Sequence, residues 1–247
     1  MGDILKNDLK RFFLSKLSII LVAVAFALPL LSMLVFKLPA IMLEEEDVFD
    51  GLIGTEYFLS SSFSYVSDFG IVLPIFGCVL LSKDRSSGMQ RNKLICGKTR
   101  TQIYLSQLIS CVLYFIAGII IYASSNLLFG SIFFGGFADN VEFFDVFAFI
   151  LIGIFKFITL ASFITFVGLT TQKNPIGLTI AYMFVFEIII SILSIVFAPD
   201  EVEILDSLLG TIEMPISDVI RNSIIYTVVT AGTIVGGIAL YQKKDIK

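Results

Sequence analysis

Apolar runs of bilayer length limit what this chain can become. They lie at about Leu17–Phe36, Val66–Leu81, Ile103–Phe129, Val146–Thr170, Ile176–Phe197 and Ser223–Tyr241. A helix of ~20 apolar residues matches the ~30 Å hydrocarbon core of a bilayer. The chain is 57% hydrophobic and 15% charged, whereas globular domains run about 45–50% apolar and about 25% charged. The expectation is an all-α integral membrane protein, a single transmembrane domain over residues 1–247 with six membrane helices. Asn174-Pro175 opens the fifth run, and proline suits a first helical turn because the N–H it lacks would have no partner there. The second run is the least regular, with Ser60–Ser62, Ser64, Ser67 and Asp68 crowding its start.

Charge segregation then orients the runs. The N-terminus and residues 82–102, 171–175 and 242–247 carry 14 of the 17 Lys and Arg. The opposite segments, 37–65, 130–145 and 198–222, carry Lys37 and Arg221. Acidic residues run the other way, with Glu44-Glu45-Glu46-Asp47, Asp139, Glu142, Asp200, Glu201, Glu203 and Asp206 on that second side. The bias of Lys and Arg toward the cytoplasm makes both termini cytoplasmic, as an even number of crossings requires. The net charge of −4 sums two opposite surfaces and implies no nucleic-acid partner. Lys6, Lys10, Arg11 and Lys16 precede the first run as in a signal peptide. That run is longer than a signal's apolar region and lacks a small-residue cleavage site, so it reads as an uncleaved first span.

Several chemistries are excluded. Without histidine the chain lacks the commonest metal ligand and near-neutral proton carrier, which rules out zinc hydrolases and histidine-dependent intramembrane proteases. Cys78, Cys96 and Cys111 have no CxxC spacing and read as free thiols. Gly97-Lys98-Thr99 ends like a phosphate-binding loop, but Asn92 stands where that loop's first glycine belongs, and Gln90–Lys93 is no buried strand.

The extramembrane pieces carry local helix signals. In residues 2–16, Leu5, Leu9, Phe12 and Phe13 share one helical face, while Asp3, Lys6, Asn7, Lys10 and Arg11 share the other. That pattern predicts an interfacial helix on the inner leaflet with its basic face toward anionic headgroups. In residues 84–100, Ser87-x-x-Gln90 fits a capping box, Gly97 fits a helix C-terminus, and Thr99-x-x-Gln102 fits a second box. A short cytoplasmic helix followed by the third span is expected. In the outer loop 198–222, Val202, Ile204, Leu205, Leu208, Leu209 and Ile212 approach helical spacing, leaving a surface helix and an irregular loop both open.

Two charges fall inside the apolar runs: Lys156 in the fourth and Glu187 in the fifth. Intramembrane charges are costly and mark partners or wet paths. Counting from the tight Thr171–Pro175 connection puts them ~6 Å apart along antiparallel axes at 1.5 Å per residue. A structural ion pair and a direct role in transport are both compatible with that offset. Gly232-x-x-x-Gly236 and Gly237 form a small-residue face suited to close helix packing.

Together these features resemble the membrane subunit of an ABC-2 type ABC transporter. The local text that carries the likeness is Asp84-Arg85, Ser87-Gly88, Gly97-Lys98-Thr99-Arg100 and Tyr104; the layout covers the whole chain. The resemblance implies a permease without catalytic, cofactor or metal sites of its own, driven by a separate cytoplasmic ATPase dimer that binds ATP and Mg. It implies that Asp84, Arg85, Gly88, Arg91, Lys93, Gly97 and Arg100 belong to a coupling helix docking on that ATPase. It implies a second permease copy, or a homologous permease, enclosing the path of a hydrophobic or peptide substrate in a bacterial plasma membrane. Small Phe- and Ile-rich permeases of this kind resemble those of antimicrobial-peptide export or immunity; drug and lipid exporters share the layout. An ion-coupled transporter using Lys156 and Glu187 is the alternative, and it lacks a sign of inverted repeats. A membrane-embedded protease using Glu44-Glu45 lacks the histidines such chemistry needs.

Overall fold

The described residues fold as helices and short turns, and in the long apolar helices the backbone groups are satisfied internally, as a bilayer requires. The computed structural model describes residues 2–43, 59, 62–63, 68–134, 143–170 and 216–243. Within them lie α1 (Gly2–Phe13), α2 (Lys16–Leu43), α3 (Asp68–Ser86), α4 (Met89–Ile95), α5 (Arg100–Phe134), α6 (Phe143–Thr170) and α7 (Ile216–Lys243). No strand occurs among the described residues.

Four of these helices contain stretches long and apolar enough to cross a membrane: Lys16–Val35, Arg100–Phe133, Val146–Thr170 and Ser223–Lys243. The chain is a multi-pass membrane protein. The expected second span, Val66–Leu81, corresponds to α3, which is helical but is not one of the four. Asp68 opens it and Lys83, Asp84 and Arg85 close it, so no full-length stretch of it escapes charge. The expected fifth span, Ile176–Phe197, and the outer loop 198–222 up to α7 lie outside the described residues.

Side-chain contacts fix the sense of each helix against α5. Phe69 of α3 stacks on Tyr122 with ring centroids 4.4 Å apart. Nearer the other end of α3, the Asp84 carboxylate accepts from the Gln107 amide at 3.2 Å. α3 therefore runs antiparallel to α5. Asp8 of α1 accepts from Ser106 at 2.8 Å, Phe12 meets Tyr114 edge-on at 5.8 Å, and Leu21 of α2 lies against Gly118. Those contacts climb in one order, so α1 and α2 run in the same sense as α5. Phe63, just before α3, meets Phe149 edge-on at 5.5 Å, and Leu81 near the end of α3 packs on Gly168, so α6 runs with α3. α7 runs with α6, tied by hydroxyl pairs Thr159–Thr230 and Ser162–Thr233, each at 2.9 Å.

The main core lies where α2, α3, α5 and α6 meet, around Phe69, Leu73, Phe115, Ile119, Phe157 and Ile164. A smaller one, Ile103, Tyr104, Leu108, Leu169 and Tyr241, sits at the end that carries α4, with Leu94 of α4 packed against it. Arg100 donates to the Gln242 carbonyl at 2.7 Å, so the last turn of α7 is also at this end. α5 spans 35 residues, about 52 Å at 1.5 Å per residue. That exceeds the ~30 Å hydrocarbon core, so its first turns can extend past the apolar layer and join α1 and α4.

The N-terminal helix differs from the expectation in its rotation and its partner. It ends at Phe13, and Lys16 begins α2. Its inward face is Ile4, Asp8 and Phe12, packed toward α5, while Phe13 is exposed. Arg11, expected on the lipid-headgroup face, turns inward to carboxylates of the protein. A protein surface with acids of its own attracts a guanidinium more specifically than a diffuse headgroup layer.

Candidate functional site

The end of the bundle that carries α4 gathers a largely buried ion cluster beneath the exposed face of that helix. Asp8 is its hub, with 1% of its surface exposed. The Lys93 ammonium donates to both Asp8 oxygens, at 2.6 and 2.8 Å, and the Ser106 hydroxyl donates at 2.8 Å. Arg11, one turn along α1, reaches Asp8 at 3.5 Å and pairs directly with Asp84. Asp84, 3% exposed, also accepts from Gln107. Gln90 of α4 donates to Gln107 at 3.4 Å and accepts from the Tyr241 hydroxyl at 3.4 Å. Five helices thus converge on one polar knot. Two carboxylates and two cations balance, and every anionic oxygen pair is hydrogen-bonded, which is what burial of charge requires.

Burial lowers the pKa of both cations. For Lys93 desolvation is opposed by the hydrogen bond and charge of Asp8; for Arg11 desolvation is opposed by the charge of Asp8. The carboxylates sit where they neutralise, leaving bases outside. Lys6, Lys10, Lys16, Lys83, Arg91 and Lys243 are exposed, and Asp3 is the one exposed acid at this end among the described residues.

α4 begins and ends by backbone geometry. Gly88, at its N-cap, has φ 68° and makes no side-chain cap bond. Gly97 has φ 76°, its N–H bonding the Leu94 carbonyl at 2.9 Å and that of Lys98 bonding Lys93 at 3.2 Å. This is a Schellman termination, which needs a left-handed residue. Thr99 and Gln102 then cap α5 reciprocally, each backbone N–H bonding the other's side chain at 3.3 Å. The stop at Gly97 and the start at Thr99 are therefore as the sequence indicates. The box expected at Ser87 and Gln90 is not made. The Ser87 hydroxyl bonds the Asp84 carbonyl at 3.1 Å, and Gln90 is drawn inward to Gln107 and Tyr241.

The residues expected to form a docking helix separate into two groups. The helix there is the shorter Met89–Ile95, with Asp84 and Arg85 still on the last turn of α3. Arg91 and Gly97 are exposed, with Ser87, Asn92, Cys96 and Thr99, and Ile95 is 74% exposed. Arg100 is half-buried on the tail of α7. Asp84 and Lys93 face inward and hold the knot. Lys156 sits half-buried midway along α6, one turn before Thr159; Glu187 lies outside the described residues, as does any pairing between them.

Sequence reasoning missed Asp8, Ser106, Gln107 and Tyr241. Asp8 was legible: on a helical wheel it stands between Ile4, Leu5 and Phe12, an acid in the middle of an apolar face. Ser106 and Gln107 were legible as polar residues in an apolar run. That Tyr241 would meet Gln90 depends on tertiary approach and left no local mark. Asp8, Asp84, Gln90, Lys93, Ser106, Gln107 and Tyr241 all engage one another or Arg11, an arrangement suited to holding a surface in place. Comparisons with known protein families, with characterised proteins and with solved structures returned no match.

Proposed function

We propose that the chain is the membrane-spanning permease subunit of an ATP-driven exporter of the ABC-2 kind, and that α4 is the element through which a separate cytoplasmic ATPase acts on it. The observation that carries this reading is the exposed face of α4. Arg91, Asn92 and the largely uncovered Ile95 project from a seven-residue helix whose other side is fastened to three helices, α1, α5 and α7. An exposed apolar side chain one turn from an exposed arginine, on a helix fastened from behind, suits an apolar pocket with an acid at its rim.

The helix senses support a six-crossing layout. α6 and α7 run the same way, so the chain between them has to return once along the bundle. Ile176–Phe197 is the apolar run in that connection long enough to do so. α3, antiparallel to α2 and α5, supplies the second crossing despite its charged ends. Both termini then fall at the α4 end, which the excess of Lys and Arg assigns to the cytoplasm. A second permease copy and a hydrophobic or peptide substrate complete the reading; export of, or immunity to, an antimicrobial peptide is the favoured task.

The test is hydrolysis. The purified chain in lipid nanodiscs hydrolyses no ATP. The ATPase that co-purifies with it from native membranes does, and Arg91→Glu with Ile95→Asp removes that co-purification while the chain stays monodisperse. Hydrolysis by the chain alone would sink the reading.

A further inference from the structure

The ion knot joins α4 to a helix that is remote from it in sequence. α3 and α5 flank α4 covalently, yet the shortest charged contacts of α4 are to Asp8 of α1. Lys93 leads α4 onto α1, and Ser106 of α5 caps the same carboxylate. Removing one partner of this contact would leave the charge of the other unpaired at a nearly fully buried carboxylate site, which is costly.

The far end of α1 is stitched to α2. The Ser18 N–H bonds the Ser15 hydroxyl at 3.1 Å, the two hydroxyls bond each other at 2.8 Å, and Ser18 also bonds the Phe12 carbonyl. Phe12 and Phe13 both meet Tyr114 edge-on. A continuous series of contacts thus runs from α4 through α1 to the start of the first membrane helix. We infer that α1 and α4 form one rigid unit, welded at Asp8, and that any displacement of α4 enters the membrane through α1 and α2 as well as through α3 and α5. Asp8 and Lys93 are positioning residues: their mutual contact sets where the exposed face of α4 stands. The inference rests on the reading of α4 as a docking element for its functional meaning, and on the geometry alone for its mechanical content.

Distances between spin labels test it without a partner protein. In a Cys96→Ser background in nanodiscs, labels at Lys10 and Arg91 report α1 to α4, and labels at Ile20 and Arg91 report α2 to α4. All three native side chains are exposed. Each pair gives a single narrow distance in the parent. Asp8→Asn broadens both, and Asp8→Asn with Lys93→Met, which strands no charge, broadens both while keeping the fold. A pair at Val35 and Ile132, exposed sites toward the opposite end, stays narrow and reports that the bundle is intact. Unchanged distances in the double variant would overturn the weld. Broadening of α1 to α4 alone, with α2 to α4 still narrow, would overturn the route into α2. Neither outcome depends on ATP hydrolysis, so a failed weld and a failed permease reading are separable.

Discussion

At the scale of residues, Asp8 and Lys93 are the pair on which the α4 end depends. Removing one partner of a buried ion pair costs about 3–5 kcal/mol, whereas removing both is often close to neutral. Asp8→Asn and Lys93→Met should therefore each lower the unfolding midpoint, and the double variant should lose less than the two singles summed. A double-mutant cycle on thermal unfolding in nanodiscs measures this coupling; additive losses would mean the pair is not the joint described. Lys93 also gives a pH dependence of definite sign. Burial lowers its pKa below 10.5 despite Asp8, so between the lowered and the ordinary value the opened state binds the extra proton. Stability from this group rises as pH climbs through that window toward 10.5, and the penalty is fully present below it. The parent should gain stability relative to Lys93→Gln over that rise. Asp8 was readable as an acid on an apolar helical face. The inward turn of Arg11 was not, because its partner Asp84 belongs to another helix and the two meet only in the fold.

At the scale of elements, the boundaries between α3, α4 and α5 rest on backbone conformation more than on side-chain caps. Gly97 has open space around the position of a Cβ, so Gly97→Ala acts only through its left-handed backbone. The expected cost is about 1–2 kcal/mol, read as a lower unfolding midpoint and faster amide exchange at positions 97 and 98, the two donors of the termination. An unchanged exchange rate would show that α4 ends some other way. The Gly97 stop and the Thr99 box were legible because both are local patterns. The Ser87 box failed because Gln90 had a better use inside, where Gln107 and Tyr241 compete for it. The face of α1 failed in a similar way: amphipathicity reports that one side is buried but not whether lipid or α5 buries it.

At the scale of the whole molecule, membrane residence and four of the apolar helices followed directly from run length, since bilayer thickness fixes the length a span needs. α3 shows where that rule weakens. Its charged ends set it apart from the four apolar helices, and its place antiparallel to α5 is a property of packing. The parallel senses of α6 and α7 are likewise a property of packing that hydropathy does not carry. The charge sorting at the α4 end has a similar origin: acids were folded in against Arg11 and Lys93, leaving Arg91 and its exposed neighbours as the outward face. That face is what the proposed coupling to an ATPase needs. The most direct test is ATP hydrolysis measured on nanodiscs holding the chain with its co-purifying ATPase, and on nanodiscs holding the chain alone. The account predicts hydrolysis only in the first, falling to the level of the isolated ATPase with Arg91→Glu. Hydrolysis by the chain alone, or a complex whose rate and assembly ignore Arg91→Glu, would contradict it.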